Sequence, residues 1–388
     1  MRILHTADWH IGKQLNNTSL IEDQEYILKK IIEIIEEERP DVLVIAGDIY
    51  DRSIPPVEAV ELLDKAFNRI LLELNIPIIA IAGNHDNGDR LSFASGILKN
   101  NKLYIEGRLK PRVNKIVIED DHGPVNFYVI PYADPAYVRE LHGNKDIRTY
   151  NDAMKAIISG INQEMNTDQR NIAITHGFIT GIEEPETCES ERILYVGGTD
   201  FVSYEYFKQF NYTALGHLHG QQKAGDERIR YSGSPLKYSF SETEHSKGIK
   251  LIDIDSAGNA NIRFKELRPM RDLRIIEGSL DELLAPDTYR GTNTDDYIHA
   301  VLTDEGELMD PIGKLRSVYS NILSMERGKA VNRNKDSRTS AGEGFRQKTK
   351  LELFKAFYES MTGNEFTPER ASIIEKLINE MNKAGRSE

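Results

Sequence analysis

The chain has 388 residues, 39% hydrophobic and 29% charged, a balance that supplies a core and a well-charged surface and excludes bulk disorder. Against 62 acidic residues stand 49 basic ones, a formal charge of -13, which excludes a nucleic-acid binder working through a general basic surface, because neutralising phosphates needs Lys and Arg. Metal ions or a partner would have to supply the missing charge. The length suits two or three domains.

A single cysteine, Cys188, cannot form an internal disulfide, which fits a reducing cytoplasm. The opening MRILHTADWHIG lacks the apolar stretch of a signal peptide, and no run of about 18 apolar residues occurs, so neither export nor membrane insertion is expected.

Apolar periodicity predicts a strand over 1–6, a helix over 21–38 with apolar side chains at 27, 28, 31, 34 and 35, a strand over 41–46, a helix over 57–74 and a strand over 76–82. Continuous apolar strands alternating with amphipathic helices imply an α/β sheet covered on both faces, with ligand-binding residues on the loops that leave the strand ends. From Val113 the grain changes to strands at 113–118 and 125–132, a helix over 150–165 and a strand running into a loop at 171–177. That change suits a second, mixed sheet, and further strands at 212–219, 228–232, 248–255 and 262–267 close a first domain at residues 1–268.

Residues 269–326 repeat a smaller α+β pattern, with strands at 273–276 and 297–302 and a helix over 312–325. Residues 327–350 hold eight Lys or Arg against two acidic residues and few apolar ones, the composition of a flexible basic linker. Two amphipathic stripes follow within 351–388: Leu351, Phe354, Phe357, Tyr358 and Met361, then Ile373, Ile374, Leu377, Ile378 and Met381.

Five polar clusters stand at loop positions: Asp8-Trp9-His10, Gly47-Asp48-Ile49-Tyr50-Asp51-Arg52, Gly83-Asn84-His85-Asp86, Thr175-His176-Gly177 and Gly216-His217-Leu218-His219. Asp8 and His10 are two apart, so in an extended segment both side chains point the same way and can grip one ion, and His217 with His219 repeats that spacing. Each cluster alone is compatible with an ordinary polar loop. Together, carboxylate, imidazole and amide side chains at successive strand ends are what a pair of borderline divalent ions requires.

In order, the clusters match D-x-H, G-D-x-x-D, G-N-H-[DE], H and G-H-x-H, and in this the chain resembles the calcineurin-like metallophosphoesterases. The wording HTADWHIG, AGDIYD, AGNHD, GHLH and YSGSP is similar in particular to the bacterial SbcD-type, Mre11-like nucleases, over residues 1–268. The resemblance implies a four-layer αββα sandwich with a smaller capping domain and C-terminal helices. It implies one metal on Asp8, His10, Asp48 and His219, and a second on Asp48, Asn84, His176 and His217, with Asp48 as the bridge. The ions, most suitably Mn2+, would activate water for attack on phosphorus. His85 would stabilise the transition state or protonate the leaving oxygen, the Asp51 carboxylate would orient His85, and Arg52 would contact phosphate.

The resemblance further implies DNA as substrate, an SbcC-like coiled-coil ATPase that binds ATP and docks on residues 351–388, and a homodimer within a heterotetramer, formed through helices such as 57–74 and 91–98. Trp9 reads as a packing residue beneath the metal loop rather than a base-stacking one. Two other readings stand beside the nuclease: a phosphoesterase for a small molecule or protein, and a non-catalytic scaffold.

Overall fold

The computed structural model describes residues 1–181, 185–191, 201–304 and 307–327, together with 351, 354, 355, 358, 366–368 and 370–376. Met1–Gly328 forms one compact unit and Lys329–Glu388 another. Apart from Arg327, the predicted linker at 327–350 lies outside the described residues, as do Phe357, Met361, Leu377, Ile378 and Met381 of the terminal stripes.

In the first unit the chain runs β1 (Arg2–Thr6), α1 (Ile21–Glu38), β2 (Val42–Ala46), α2 (Val57–Asn68), β3 (Ile78–Ile81) and β4 (Leu103–Glu106). Strands β1 to β4 pair in parallel, because each crossover is long enough to carry the chain back over the sheet. β5 (Asn114–Asp120), β6 (Gly123–Ile130), α3 (Pro135–His142), α4 (Tyr150–Asn162), β7 (Arg170–His176), β8 (Tyr212–Gly216), β9 (Gln222–Ala224) and β10 (Asp226–Tyr231) follow. β11 (Gly248–Ile254) and β12 (Ala260–Glu266) then return to the first sheet, which takes the order β12-β11-β1-β2-β3-β4. The second sheet has the order β9-β10-β8-β7-β6-β5.

The two sheets pack face to face through Val42, Val44, Ile79, Ile81, Phe127, Ile172 and Ile174, all fully buried. α1 and α2 cover the outer face of the first sheet through Ile27, Leu28, Ile31, Leu62 and Leu63. α4 covers the second through Ile157, Ile158 and Ile161. This is the α/β, four-layer αββα sandwich, and it explains why Val-Leu-Val-Ile-Ala of β2 is apolar without alternation: one face meets helices and the other meets a second sheet. Each such side chain contributes about 1.5–3 kcal/mol of burial free energy.

Residues 269–326 build a parallel sheet of β13 (Leu273–Gly278), β14 (Tyr297–Leu302) and β15 (Ile322–Arg327), with α5 (Leu280–Leu284) and α6 (Pro311–Arg316) packed on a core of their own. The helix expected over 312–325 is corrected here: it stops at Arg316, and Ile322–Arg327 is a strand. Ile312, Leu315, Tyr319 and Ile322 satisfy a helical period, but the open edge of β14 offers the second half of the segment a full ladder, and pairing there outweighs local preference. The sheet is tied to α1 through one buried carboxylate, Asp23, which accepts from Arg271 at 2.9 and 2.7 Å and from the Tyr297 hydroxyl at 2.7 Å.

In the second unit, Phe354 and Tyr358 set their rings 5.9 and 5.4 Å from the largely buried Phe366, and Arg370 lies over the Tyr358 ring at 5.0 Å. Residues 370–376 are helical.

Candidate metal centre

The parallel strands of both sheets end at the same rim, and the five clusters meet there. Asp8 and His10 follow β1, Asp48 follows β2, Asn84 and His85 follow β3, His176 ends β7, and His217 and His219 follow β8. The extended geometry expected for the D-x-H and H-x-H spacings is not what brings them in. Asp8 (φ 55), His10 (φ 44), Asp48 (φ 49) and His217 (φ 110) all adopt positive φ, so the chain kinks sharply at each strand end and turns the side chain inward. Four non-glycine residues in that region cost on the order of 1–3 kcal/mol each, strain that the surrounding sheets must hold.

Two glycines make the convergence possible. A Cβ on Gly47, itself at φ 93, would stand 2.3 Å from His176 Nδ1, and one on Gly83 would stand 2.2 Å from Asp48 Oδ1. Gly83→Ala is therefore expected to displace the Asp48 carboxylate and weaken binding of any divalent cation held there by roughly 10- to 100-fold, the range for disturbing a ligand's support. Calorimetric titration with Mn2+ checks this, and wild-type affinity in the variant would refute it.

His10 Nε2 and His219 Nε2 lie 3.1 Å apart, and Asp48 Oδ2 stands 3.7 Å from His10 Nε2 and 3.4 Å from His176 Nε2. Asn84 Oδ1 is 2.9 Å from His176 Nε2 and 3.2 Å from His217 Nδ1. Ligand atoms of Asp8, His10 and His219 fall within 4.8 Å of one another, as do those of Asp8, Asp48 and His176. Asp8 and Asp48 are thus near both histidine groups, and all of these side chains except Asn84 are buried.

The donor set fits divalent cations by its own hydrogen-bond arithmetic. His176 Nδ1 faces the Ala46 carbonyl at 2.9 Å, which can only accept, so Nδ1 carries a proton. In the neutral ring, Nε2 then turns a lone pair toward Asn84 Oδ1 and Asp48 Oδ2, three acceptors meeting with no donor between them. Such a cluster needs a proton or a cation. Without the cation His176 takes the proton: burial disfavours it, but Asp48 more than offsets this and raises the ring to about 9.

Burial likewise works against charge on Asp48, yet His176 and the neighbouring imidazoles hold its carboxyl well below the usual range. Asp8 is pushed up to about 7 by burial, with Asp48 adding to the rise, and His217 falls to about 3 and His10 well below its usual value, both first through burial. Low-basicity, neutral imidazoles beside an ionised carboxylate are a good metal donor set, and a bound cation reverses the remaining proton uptake. Among the described residues Asn84 Nδ2 and His10 Nδ1 have no hydrogen-bond partner.

His85 stands at the edge of this group, its ring edge-on to His10 at 4.7 Å. It meets Asp51 through the main-chain oxygen and not through the carboxylate expected. Nδ1 lies 2.9 Å from the main-chain oxygen of Asp51, while the Asp51 carboxylate pairs with Lys13 at 2.8 Å and stands 3.7 Å from His10 Nδ1. Arg52 is exposed, 3.5 Å from the Asp51 carboxylate and outside the buried cluster. Trp9 is fully buried, donates to Thr6 Oγ1 at 2.9 Å and packs edge-on to Phe67, so it is a packing residue.

Several supporting side chains escaped the sequence reading. Asp86, which closes the G-N-H-D motif but was given no task, accepts from the main-chain N–H groups of Gly83, Ile49 and Tyr50 and so ties the β2 and β3 loops together. Gln24 donates to the His10 carbonyl at 2.7 Å from within α1, and Glu191, Ser190, Glu242 and Lys247 surround His219. Two polar residues, Asp23 and Gln24, on the helix stripe that also carries Ile27, Leu28 and Ile31 were the signal available in advance.

Residues 1–221 match the calcineurin-like phosphoesterase family, and residues 269–362 match the family described as type 5 capsule protein repressor C-terminal domain. With its αββα sandwich and rim of divalent-metal donors, the chain is a metallophosphoesterase, a hydrolase of phosphoesters. It is 39% identical over 325 residues to the D component of nuclease SbcCD from Staphylococcus epidermidis, covering 84% of this chain and 85% of that one. The chain belongs to the SbcD family.

Among solved structures it is similar to the protein TT1561 of Thermus thermophilus, at a TM-score of 0.39 and 12% identity over 69% of this chain and 99% of that one. It is also similar to a dimetal phosphatase from Danio rerio, at a TM-score of 0.38 and 9% identity over 69% and 95%. Among the described residues no helix is long and apolar enough to cross a membrane.

Proposed function

We propose that the chain is the nuclease subunit of an SbcCD-type complex and hydrolyses DNA phosphodiester bonds at a two-ion centre. The observation that carries this reading is the meeting of Asp8, His10, Asp48, Asn84, His176, His217 and His219 at one rim, with His85 beside them. Asp8, His10, Asp48 and His219 would hold one ion and Asp48, Asn84, His176 and His217 the other, most suitably Mn2+. The bound pair supplies an activated water and neutralises charge on the phosphoryl oxygens.

The remaining work falls to the chain itself. Asp48 reaches toward both histidine groups and sets the spacing of the two half-sites. His85, its Nδ1–H directed at the Asp51 carbonyl, leaves Nε2 free for the departing oxygen, to which its imidazolium form would give a proton. Arg52, at the exposed edge, would contact a neighbouring phosphate.

An acidic chain of net charge -13 is a poor DNA binder alone, which supports dependence on a partner. We assign that role to an SbcC-like coiled-coil ATPase, which would bind ATP and dock on residues 351–388. A homodimer would use Ile54, Val57, Val60, Leu72, Phe93 and Ile97, large apolar side chains that the first unit leaves exposed. The expected activities are ATP-dependent exonuclease action on duplex ends and endonuclease action on single strands and hairpins, in DNA repair and recombination.

Incubating the purified chain and Mn2+ with labelled duplex, hairpin and single-stranded DNA, with and without the ATPase and ATP, tests this. Cleavage stimulated by the ATPase is expected. Turnover of phosphopeptides or small phosphoesters with inert DNA in every condition would favour the general phosphoesterase reading instead.

A further inference from the structure

We infer that Glu242, acting through Ser190, is a positioning residue that fixes the tautomer of His219 and thereby the affinity of one of the two ions; the inference rests on the metal-centre reading above. Glu242 lies in a short turn, Phe240–Glu242, remote in sequence from every cluster, and is fully buried. Its Oε1 accepts from Ser190 Oγ at 2.5 Å, from the Tyr238 main-chain N–H at 3.1 Å and from Ser239 Oγ at 3.2 Å. Its Oε2 accepts from Lys247 Nζ at 2.5 Å.

Proton counting then determines the ring. An ionised carboxylate can only accept, so the single hydroxyl proton of Ser190 goes to Glu242. Ser190 Oγ, 2.8 Å from His219 Nδ1, is left with lone pairs and must accept from that nitrogen. Nδ1 therefore carries the ring proton, and Nε2 presents its lone pair toward His10 Nε2, where the ion would sit. The negative charge behind the hydroxyl also makes the ring a stronger donor to a cation.

The main chain of His219 is held by the same group. Lys247 donates to the His219 carbonyl at 2.8 Å and to Ser234 Oγ at 2.9 Å, and the Glu191 carboxylate accepts from the His219 main-chain N–H at 2.7 Å. Ser234 belongs to the Tyr231-Ser232-Gly233-Ser234-Pro235 segment, and a Cβ on Gly233 would stand 2.8 Å from that same carbonyl. A buried Glu–Lys pair is seldom more stabilising than apolar residues of the same volume, so stability alone does not account for it. Holding a metal-directed imidazole does. His176, by contrast, has its tautomer set by a main-chain carbonyl, which no side-chain substitution removes.

The test uses the full chain, Mn2+ alone, and no DNA. Mn2+ affinity is measured by calorimetry, and histidine tautomers are read in the metal-free chain by nitrogen-15 NMR. Wild type is expected to bind two ions and to show His219 as the Nδ1–H form. Ser190→Ala, which keeps the Glu242–Lys247 pair and leaves Glu242 Oε1 3.5 Å from Nδ1, beyond good hydrogen-bond range, is expected to weaken one ion by roughly 10- to 100-fold and leave the other unchanged, with the Nε2–H form of His219 appearing. Glu242→Gln should do the same, and Ser190→Thr, which keeps a hydroxyl, should restore wild-type behaviour.

Weakened binding with His219 still Nδ1–H, or wild-type affinity for both ions in Ser190→Ala, would overturn the inference. If Glu242→Gln does not fold, Ser190→Ala decides alone. A wild-type chain that takes up no Mn2+ would instead bring down the metal-centre reading itself, so the two failures are distinguishable.

Discussion

Asp48→Ala is expected to abolish binding of both ions and to lower turnover by roughly 10³-fold or more, because several kcal/mol of transition-state charge stabilisation are lost at once. One oxygen of Asp48, Oδ2, approaches both His10 (3.7 Å) and His176 (3.4 Å). Two divalent ions some 3.5 to 4 Å apart repel strongly, and a shared anion is what offsets that repulsion. Its second oxygen, Oδ1, accepts from the His85 main-chain N–H at 2.8 Å, so the same substitution loosens the loop that carries His85. Removing Asp48 also leaves His176 without the anion that raises its ring to about 9, and a more neutral His176 should follow. Metal analysis of the purified variant checks the claim; two retained ions would contradict it.

His85→Ala should behave in the opposite way: two ions retained, turnover reduced by about 10²- to 10⁴-fold, the usual range for loss of a general acid. The separation follows from geometry. His85 directs Nδ1 at the Asp51 carbonyl, while its neighbour Asn84 points Oδ1 at His176 and His217. Substrates sharpen the reading. An aryl phosphodiester whose leaving group departs without a proton should lose much less turnover than DNA does. Equal losses on both would mean that His85 acts on the phosphoryl group and not on the leaving oxygen, and unchanged turnover on DNA would remove it from the mechanism.

The convergence of these side chains was legible in the sequence because they stand at the ends of apolar strands, and parallel strands deliver their ends to one rim. The local geometry was not legible. Asp8, His10 and His217 reach the centre through positive-φ kinks, which the two-residue spacing misrepresented as extended chain. Nor could the sequence choose between atoms: Asp51 was identified as the partner of His85, but its carbonyl holds the ring and its carboxylate serves Lys13.

Glu242, Ser190 and Lys247 were invisible for a different reason. Their meaning depends on a fold that carries the 239–247 stretch back beside His219, and before folding they read as surface polar residues. In the same way, apolar positions on 57–74 could have been core or interface. The fold divides them, burying Leu62, Leu63 and Phe67 and exposing Val57, Val60 and Leu72. The misread helix over 312–325 is the reverse case, where a correct local period was overruled by an open strand edge.

The most direct measurement of the central claim is anomalous diffraction from crystals of the full chain grown with Mn2+. Two peaks are expected roughly 3.5–4 Å apart. One should be ringed by Asp8, His10, Asp48 and His219 and the other by Asp48, Asn84, His176 and His217. A single peak, or a pair that does not share Asp48, would contradict it.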